Sequence, residues 1–172
     1  MFRPLLTIAL AVALPVSAGV AVAQDAREVP YDAGLLSACL AAAGSDPQSC
    51  IGKASSRCIE TPDGSTTVGM VSCTGQELDQ WDAMLHDSYG ALIAQSAKAD
   101  AELAALGSAV PPSEPGLRDA QRKWLAWRDA ECRFAALQFQ GGTGGGPAAN
   151  GCAMRLTAER ALALDGMLGD GR

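Results

Sequence analysis

A 172-residue chain with a net charge of −6 and a single histidine is long enough for one domain with a real core. Its acidity argues against nucleic acid or an anionic membrane as partner and suits a cationic one. The lone histidine and the spacing of the cysteines leave little material for a metal site, and neither a metal nor another cofactor is expected.

The first segment reads as an address. Arg3 supplies a positive start, Leu5 to Val22 is an apolar run broken by Pro15, and Ala21-Val22-Ala23 gives the small-x-small pattern of a cleavage site. Residues 1–23 are therefore expected to be a signal peptide and residues 24–31 a flexible mature start. Loss of Arg3 makes the mature chain one charge more acidic. No cysteine sits near the cut, so a lipid anchor is not expected. No second long apolar run follows, so no membrane association is expected after cleavage.

All six cysteines follow the cut: Cys39, Cys50, Cys58, Cys73, Cys132 and Cys152. An even count in an exported chain reads as three disulfides and a periplasmic or secreted location. Alanine and leucine dominate and strand alternation is nearly absent, which predicts an all-α fold of about five helices.

The first predicted helix runs from Asp32 to Ala43 and stops at Gly44. Ser45 or Asp46 is expected to cap a second, with Pro47 in its first turn, running to Glu60. Residues 32–60 then form a hairpin in which Cys39 and Cys50 face each other. The third helix is expected to start at Thr74, with Glu77 completing a capping box. Its apolar stripe is Leu78, Trp81, Leu85, Tyr89, Leu92, Ala99, Leu103 and Leu106, and it ends at Gly107. After a proline-rich connector, a fourth helix spans Leu117 to Gln138. A glycine-rich loop from Gly141 to Gly151 precedes a fifth helix from Cys152 to Leu168, with Leu156, Ala163 and Met167 facing inward. The last three helices are expected to form an antiparallel bundle. Cys58 and Cys73 flank the loop before the third helix, and Cys132 and Cys152 flank the glycine loop. These placements predict Cys39–Cys50, Cys58–Cys73 and Cys132–Cys152.

Reactive machinery is sparse, and an enzyme is not expected. His86 lies four residues after Asp82, a spacing that gives a surface ion pair more simply than a triad. The run Gly141-Gly142-Thr143 lacks the preceding strand and following lysine of a phosphate loop. Trp81, Asp82, Tyr89, Gln121, Trp124, Arg128, Asp129 and Arg160 are polar or aromatic positions expected to form an inter-helix network. Within it, Arg128 is placed to lie over Trp124, and Asp82 or Asp129 to pair with Arg128 or Arg160.

Cys58 with Cys73, Leu78-x-x-Trp81-Asp82-x-x-Leu85-x-x-x-Tyr89, Gln121-Arg122-x-Trp124, Arg128-Asp129-x-x-Cys132, and Cys152 with Thr157 and Arg160 occur in this order. In this the chain resembles the LprI-type lysozyme-inhibitor family from about Cys58 to Leu168. The resemblance implies an exported, all-helical core over residues 61–172 that forms one compact domain with the front hairpin. It also implies a protein partner, a cationic lysozyme or related muramidase. A periplasmic envelope interaction module with another partner needs the same fold and stays open. The chain departs from the family pattern in three ways. It lacks a lipidation cysteine, it adds the Cys39/Cys50 hairpin, and Gly69 stands where an acidic residue often precedes the second family cysteine. The loop carrying Glu60 and Asp63, and the glycine loop at Gly141, Gly142 and Thr143, are the expected binding loops.

Overall fold

A computed structural model describes residues 29–170; the expected signal peptide and residues 24–28 lie outside them. Among the described residues there are five α-helices, one 3-10 helix and no strand. They are α1 (Gly34–Ala42), a 3-10 helix (Pro47–Cys50), α2 (Lys53–Ile59), α3 (Thr67–Ala105), α4 (Ser113–Leu137) and α5 (Gly145–Asp170). None of these helices is long and apolar enough to cross a membrane.

Helices α3 and α5 form the spine. Both start at the same end: Asn150 donates from Nδ2 to the Val71 carbonyl (2.7 Å) and to Thr74 Oγ1 (3.2 Å). α4 returns antiparallel to them, packed chiefly on α5. Trp81, Leu85 and Leu92 of α3 meet Met154, Ala158, Ala161 and Leu164 of α5 in one core, which Leu36, Cys50 and Ala54 close from the front. At about 25 cal/mol per Å2, burying a side chain the size of Trp81 or Leu164 contributes roughly 2–3 kcal/mol. The disulfides are Cys39–Cys50, Cys58–Cys73 and Cys132–Cys152, each with Cα atoms 5.4–5.7 Å apart. No cysteine is left free.

Several boundaries differ from those expected, each for a physical reason. The second helix is two pieces. Gly52, in the left-handed region (φ 84°), breaks it after the 3-10 turn, and the Asp46 side chain accepts no cap bond. Helix α3 starts seven residues before Thr74. Its cap is Thr66, whose Oγ1 accepts from the Gly69 N–H at 2.9 Å. Thr74 is internal and donates back to the Met70 carbonyl (2.8 Å), while Glu77 points away from its own helix terminus. The apolar stripe of α3 is buried only as far as Leu92: Leu103 and Leu106 are 40% and 82% exposed, because the helix outruns α5. It closes at Gly107 in a Schellman motif, with Gly107 N–H on Ala104 O and Ser108 N–H on Leu103 O, both 3.0 Å.

Helix α4 begins at Ser113 rather than Leu117, since the Asp100 carboxylate of α3 takes the Ser113 and Glu114 amides at 2.8 and 2.9 Å. The largest difference is α5. The expected eleven-residue glycine loop is only a tight turn, and helix runs from Gly145 through Gly151. Glycine costs up to about 1 kcal/mol per position in a helix, but here Asn150 and Cys152 tie this turn of helix to α3 and α4. The inner face of α5 is Met154, Leu156, Thr157, Ala158, Ala161 and Leu164; Ala163 and Met167 point to solvent.

Candidate functional site

The polar and aromatic positions separate into groups. In the largest, α4 meets α5. Arg128 donates from Nη1 to Thr157 Oγ1 (3.2 Å) and from Nη2 to Asp129 Oδ1 (2.8 Å). Its guanidinium carbon lies 5.3 Å from the centre of the Trp124 ring, with that of Arg160 at 5.8 Å. Arg160 Nε donates to Gln121 Oε1 at 3.0 Å, and burial holds its guanidinium below the ordinary arginine range. Thr157 and Gln121 are buried, so this set fixes the register of α4 on α5 and presents little to a partner. Asp82 is not part of it: it pairs on the surface with His86, Oδ2 to Nδ1 at 3.2 Å. Tyr89 packs against the main core near Arg118, which pairs with Glu114.

Trp81 belongs to a different arrangement, centred on Glu77. The Glu77 side chain is fully buried. Its Oε1 accepts from the Gly52 amide (2.7 Å) and Trp81 Nε1 (3.0 Å), and its Oε2 from the Ser55 amide (2.7 Å). A carboxylate on α3 thus caps the start of α2 and fixes the front hairpin on the spine. The capping-box pattern concealed this role, because Glu77 serves the cap of another helix.

The two loops singled out from sequence lie at the same end of the bundle, since one leads into α3 and the other into α5. The first, residues 60–66, is tied down throughout. Thr61 Oγ1 donates to the Cys58 carbonyl (2.7 Å) and accepts from the Gly64 N–H (3.1 Å). Thr66 Oγ1 donates to the Asp63 carbonyl at 3.0 Å. A β-carbon on Gly69 would stand 2.0 Å from the Asp63 carbonyl oxygen, so the absence of a side chain there lets this loop fold onto α3. Asp63 is exposed; Glu60 is exposed and pairs with Arg57 at 3.0 Å. Glu60 also forms the lip of an open groove of about 950 Å3 between α1 and α2, floored by Leu35, Ala38, Ala42 and Ile51.

The second loop is the turn between α4 and α5. Gly141 takes a φ of 83° and Gly142 N–H donates to the Phe139 carbonyl at 2.8 Å. Gly144 lies under the Phe139 ring, where a β-carbon would come within 2.4 Å. Gly141, Gly142 and Thr143 are exposed on this preformed turn. Two rigid loops, one of them acidic, therefore bound one end of the molecule. This arrangement suits docking against another protein at low ordering cost.

The lysozyme inhibitor LprI family model matches residues 58–164, well over half of the chain. The chain belongs to the LprI lysozyme-inhibitor family. The match starts at the first cysteine of the Cys58–Cys73 bridge and ends in α5, leaving α1, the 3-10 helix and the Cys39–Cys50 bridge outside it. The chain is also similar to an uncharacterized protein of Rhizobium meliloti, 30% identical over 92 residues that cover 54% of this chain. It spans 66% of that relative's length, a little under two thirds. No solved structure matches. The family takes its description from the inhibition of lysozyme.

Proposed function

We propose that this chain acts outside the cytoplasm, in the periplasm or as a secreted protein, by binding and inhibiting a lysozyme or related muramidase. Membership of the LprI family carries this reading. Three disulfides support the location, because such bonds persist in oxidising compartments. A net charge of −6 supports a cationic partner, since opposite charge speeds encounter. The contact surface on this reading is the end of the bundle formed by residues 60–66 and the Gly141–Thr143 turn, with Glu60 and Asp63 supplying negative charge.

The test is a cell-wall clearing assay in which several basic lysozymes are mixed with the purified protein. Inhibition at micromolar concentration is expected, weakening as salt rises. Asp63→Lys is expected to weaken it several-fold without changing the helical circular dichroism. Absence of both inhibition and co-elution would reject the proposal. Recovery of a different envelope protein in a pull-down would then favour the interaction-module reading.

A further inference from the structure

The outer face of α4 carries a pattern that neither the core nor the proposed inhibitory end uses. Ala120, Lys123, Trp127, Ala130, Phe134 and Leu137 follow one another at spacings of three and four residues. That is the rhythm of the two seam positions of a heptad, by which one helix packs along another. Yet all six are exposed, and Trp127, Phe134 and Leu137 remain 50%, 58% and 72% accessible. They lie on the side of α4 away from Gln121, Arg128 and Cys132, the residues that hold α5. Single exposed apolar residues are ordinary, but a contiguous strip of aromatic and aliphatic side chains marks an interaction surface.

We propose that this strip pairs with the same strip of a second copy of the chain, the two α4 helices running antiparallel about a two-fold axis. The order of side-chain sizes is the reason. In the antiparallel register that sets Trp127 against Ala130 of the second copy, Leu137 meets Ala120 and Phe134 meets Lys123. Each bulky group then faces a small one or a flexible one, as close packing requires. The Lys123 stem covers the Phe134 ring while its ammonium keeps its ion pair with Asp119 at 2.7 Å. The symmetry makes each of these contacts occur twice. A parallel pairing would instead stack Trp127 on Trp127 and Phe134 on Phe134, and would oppose the two Lys123 ammonium groups. Counted on both copies, the strip amounts to an interface on the order of 1,000 Å2, the lower bound for a specific, reversible contact.

The full chain carries −6 and the exported form one negative charge more, so two copies repel at long range, and added salt tightens the pair by screening. That is the opposite of the salt response expected for a cationic lysozyme, which keeps the two associations separable.

Sedimentation equilibrium of the exported protein, from micromolar to near-millimolar concentration and at low and high salt, tests the proposal. The expected result is a mass rising towards twice that of a single chain, at lower concentration when salt is high. Trp127→Glu and Leu137→Glu are each expected to weaken association more than tenfold with the helical signal intact. Val68→Glu, at an exposed apolar position on α3, is expected to leave it unchanged. A single-chain mass at every concentration would overturn the proposal, as would a dimer indifferent to Trp127→Glu. So would a solitary chain whose lysozyme inhibition is lost in Trp127→Glu, which would assign the strip to that partner instead.

Discussion

The two ends of the bundle are held by different means. Where α3 and α5 begin, two disulfides, the Asn150 bonds to α3 and the buried Glu77 carboxylate bind α2, α3, α4 and α5 together. At the far end α3 runs on past Leu92 with its side chains largely in water, and its joint to α4 rests on the Asp100 carboxylate and the Schellman turn at Gly107. Covalent and buried polar links concentrate at the end that carries the two candidate loops. Preformed loops lose little entropy on docking, and the far end is left free to fray without disturbing them.

Substitutions at the two ends should therefore differ in cost, and the largest effect is expected at Glu77. Glu77→Ala leaves the Gly52 and Ser55 amides and the Trp81 indole N–H without an acceptor in the core. At about 1–3 kcal/mol for each stranded donor, the loss should be about 3 kcal/mol or more. Urea unfolding reads it directly, and a loss under about 1 kcal/mol would show that the hairpin is held by other contacts. Next comes removal of a bridge. The double substitution Cys58→Ala/Cys73→Ala, which opens a link with a sequence separation of 15, should cost about 3 kcal/mol in the same experiment.

A smaller effect is expected at Gly69. Gly69→Ala drives a β-carbon into the Asp63 carbonyl and should cost about 1–3 kcal/mol. It should also displace the 60–66 loop, so inhibition should fall more than stability does. A variant as stable and as inhibitory as the native chain would separate that loop from function.

The smallest effect belongs to the far end. Asp100 accepts the Ser113 and Glu114 amides, which holds its carboxyl below the ordinary carboxylate range. The folded group thus releases its proton at lower pH than the unfolded one. Its contribution is complete above the unfolded value near 3.8 and disappears as pH falls through the lowered folded value. An NMR titration should show the Ser113 and Glu114 amide signals moving in that acid window. Asp100→Asn should loosen the α3–α4 joint and leave the unfolding midpoint near that of the native chain.

The contrast between the ends also explains how much was legible in the sequence. Local signals were reliable: the helical class, the three loop-flanking cysteine pairs, the Gly107 stop and the α3 stripe through Leu92 all follow from neighbours in the chain. Signals that depend on a distant partner misled. Thr74 and Glu77 carry the letters of a cap, but the Glu77 carboxylate is engaged by α2, and the true cap at Thr66 lacks an acidic residue three positions later. The glycines from Gly145 to Gly151 read as loop by propensity, yet tertiary anchoring at Asn150 and Cys152 makes them helix. Leu103 and Leu106 continue the apolar rhythm of α3 beyond the reach of α5. At the candidate site, Glu60, Asp63 and the glycine turn were readable as exposed loop residues. Their meeting at one end was not, because it depends on α3 and α5 starting side by side. The α4 strip was concealed for a related reason: only the structure separates the face that holds α5 from the face that holds nothing.

Hydrogen–deuterium exchange of the protein alone and bound to a basic lysozyme shows whether the stapled end is the binding end. Added protection is expected in residues 60–66 and 138–144 and none between residues 93 and 112. Protection confined to the far end, with the two loops exchanging as in the free protein, would contradict it.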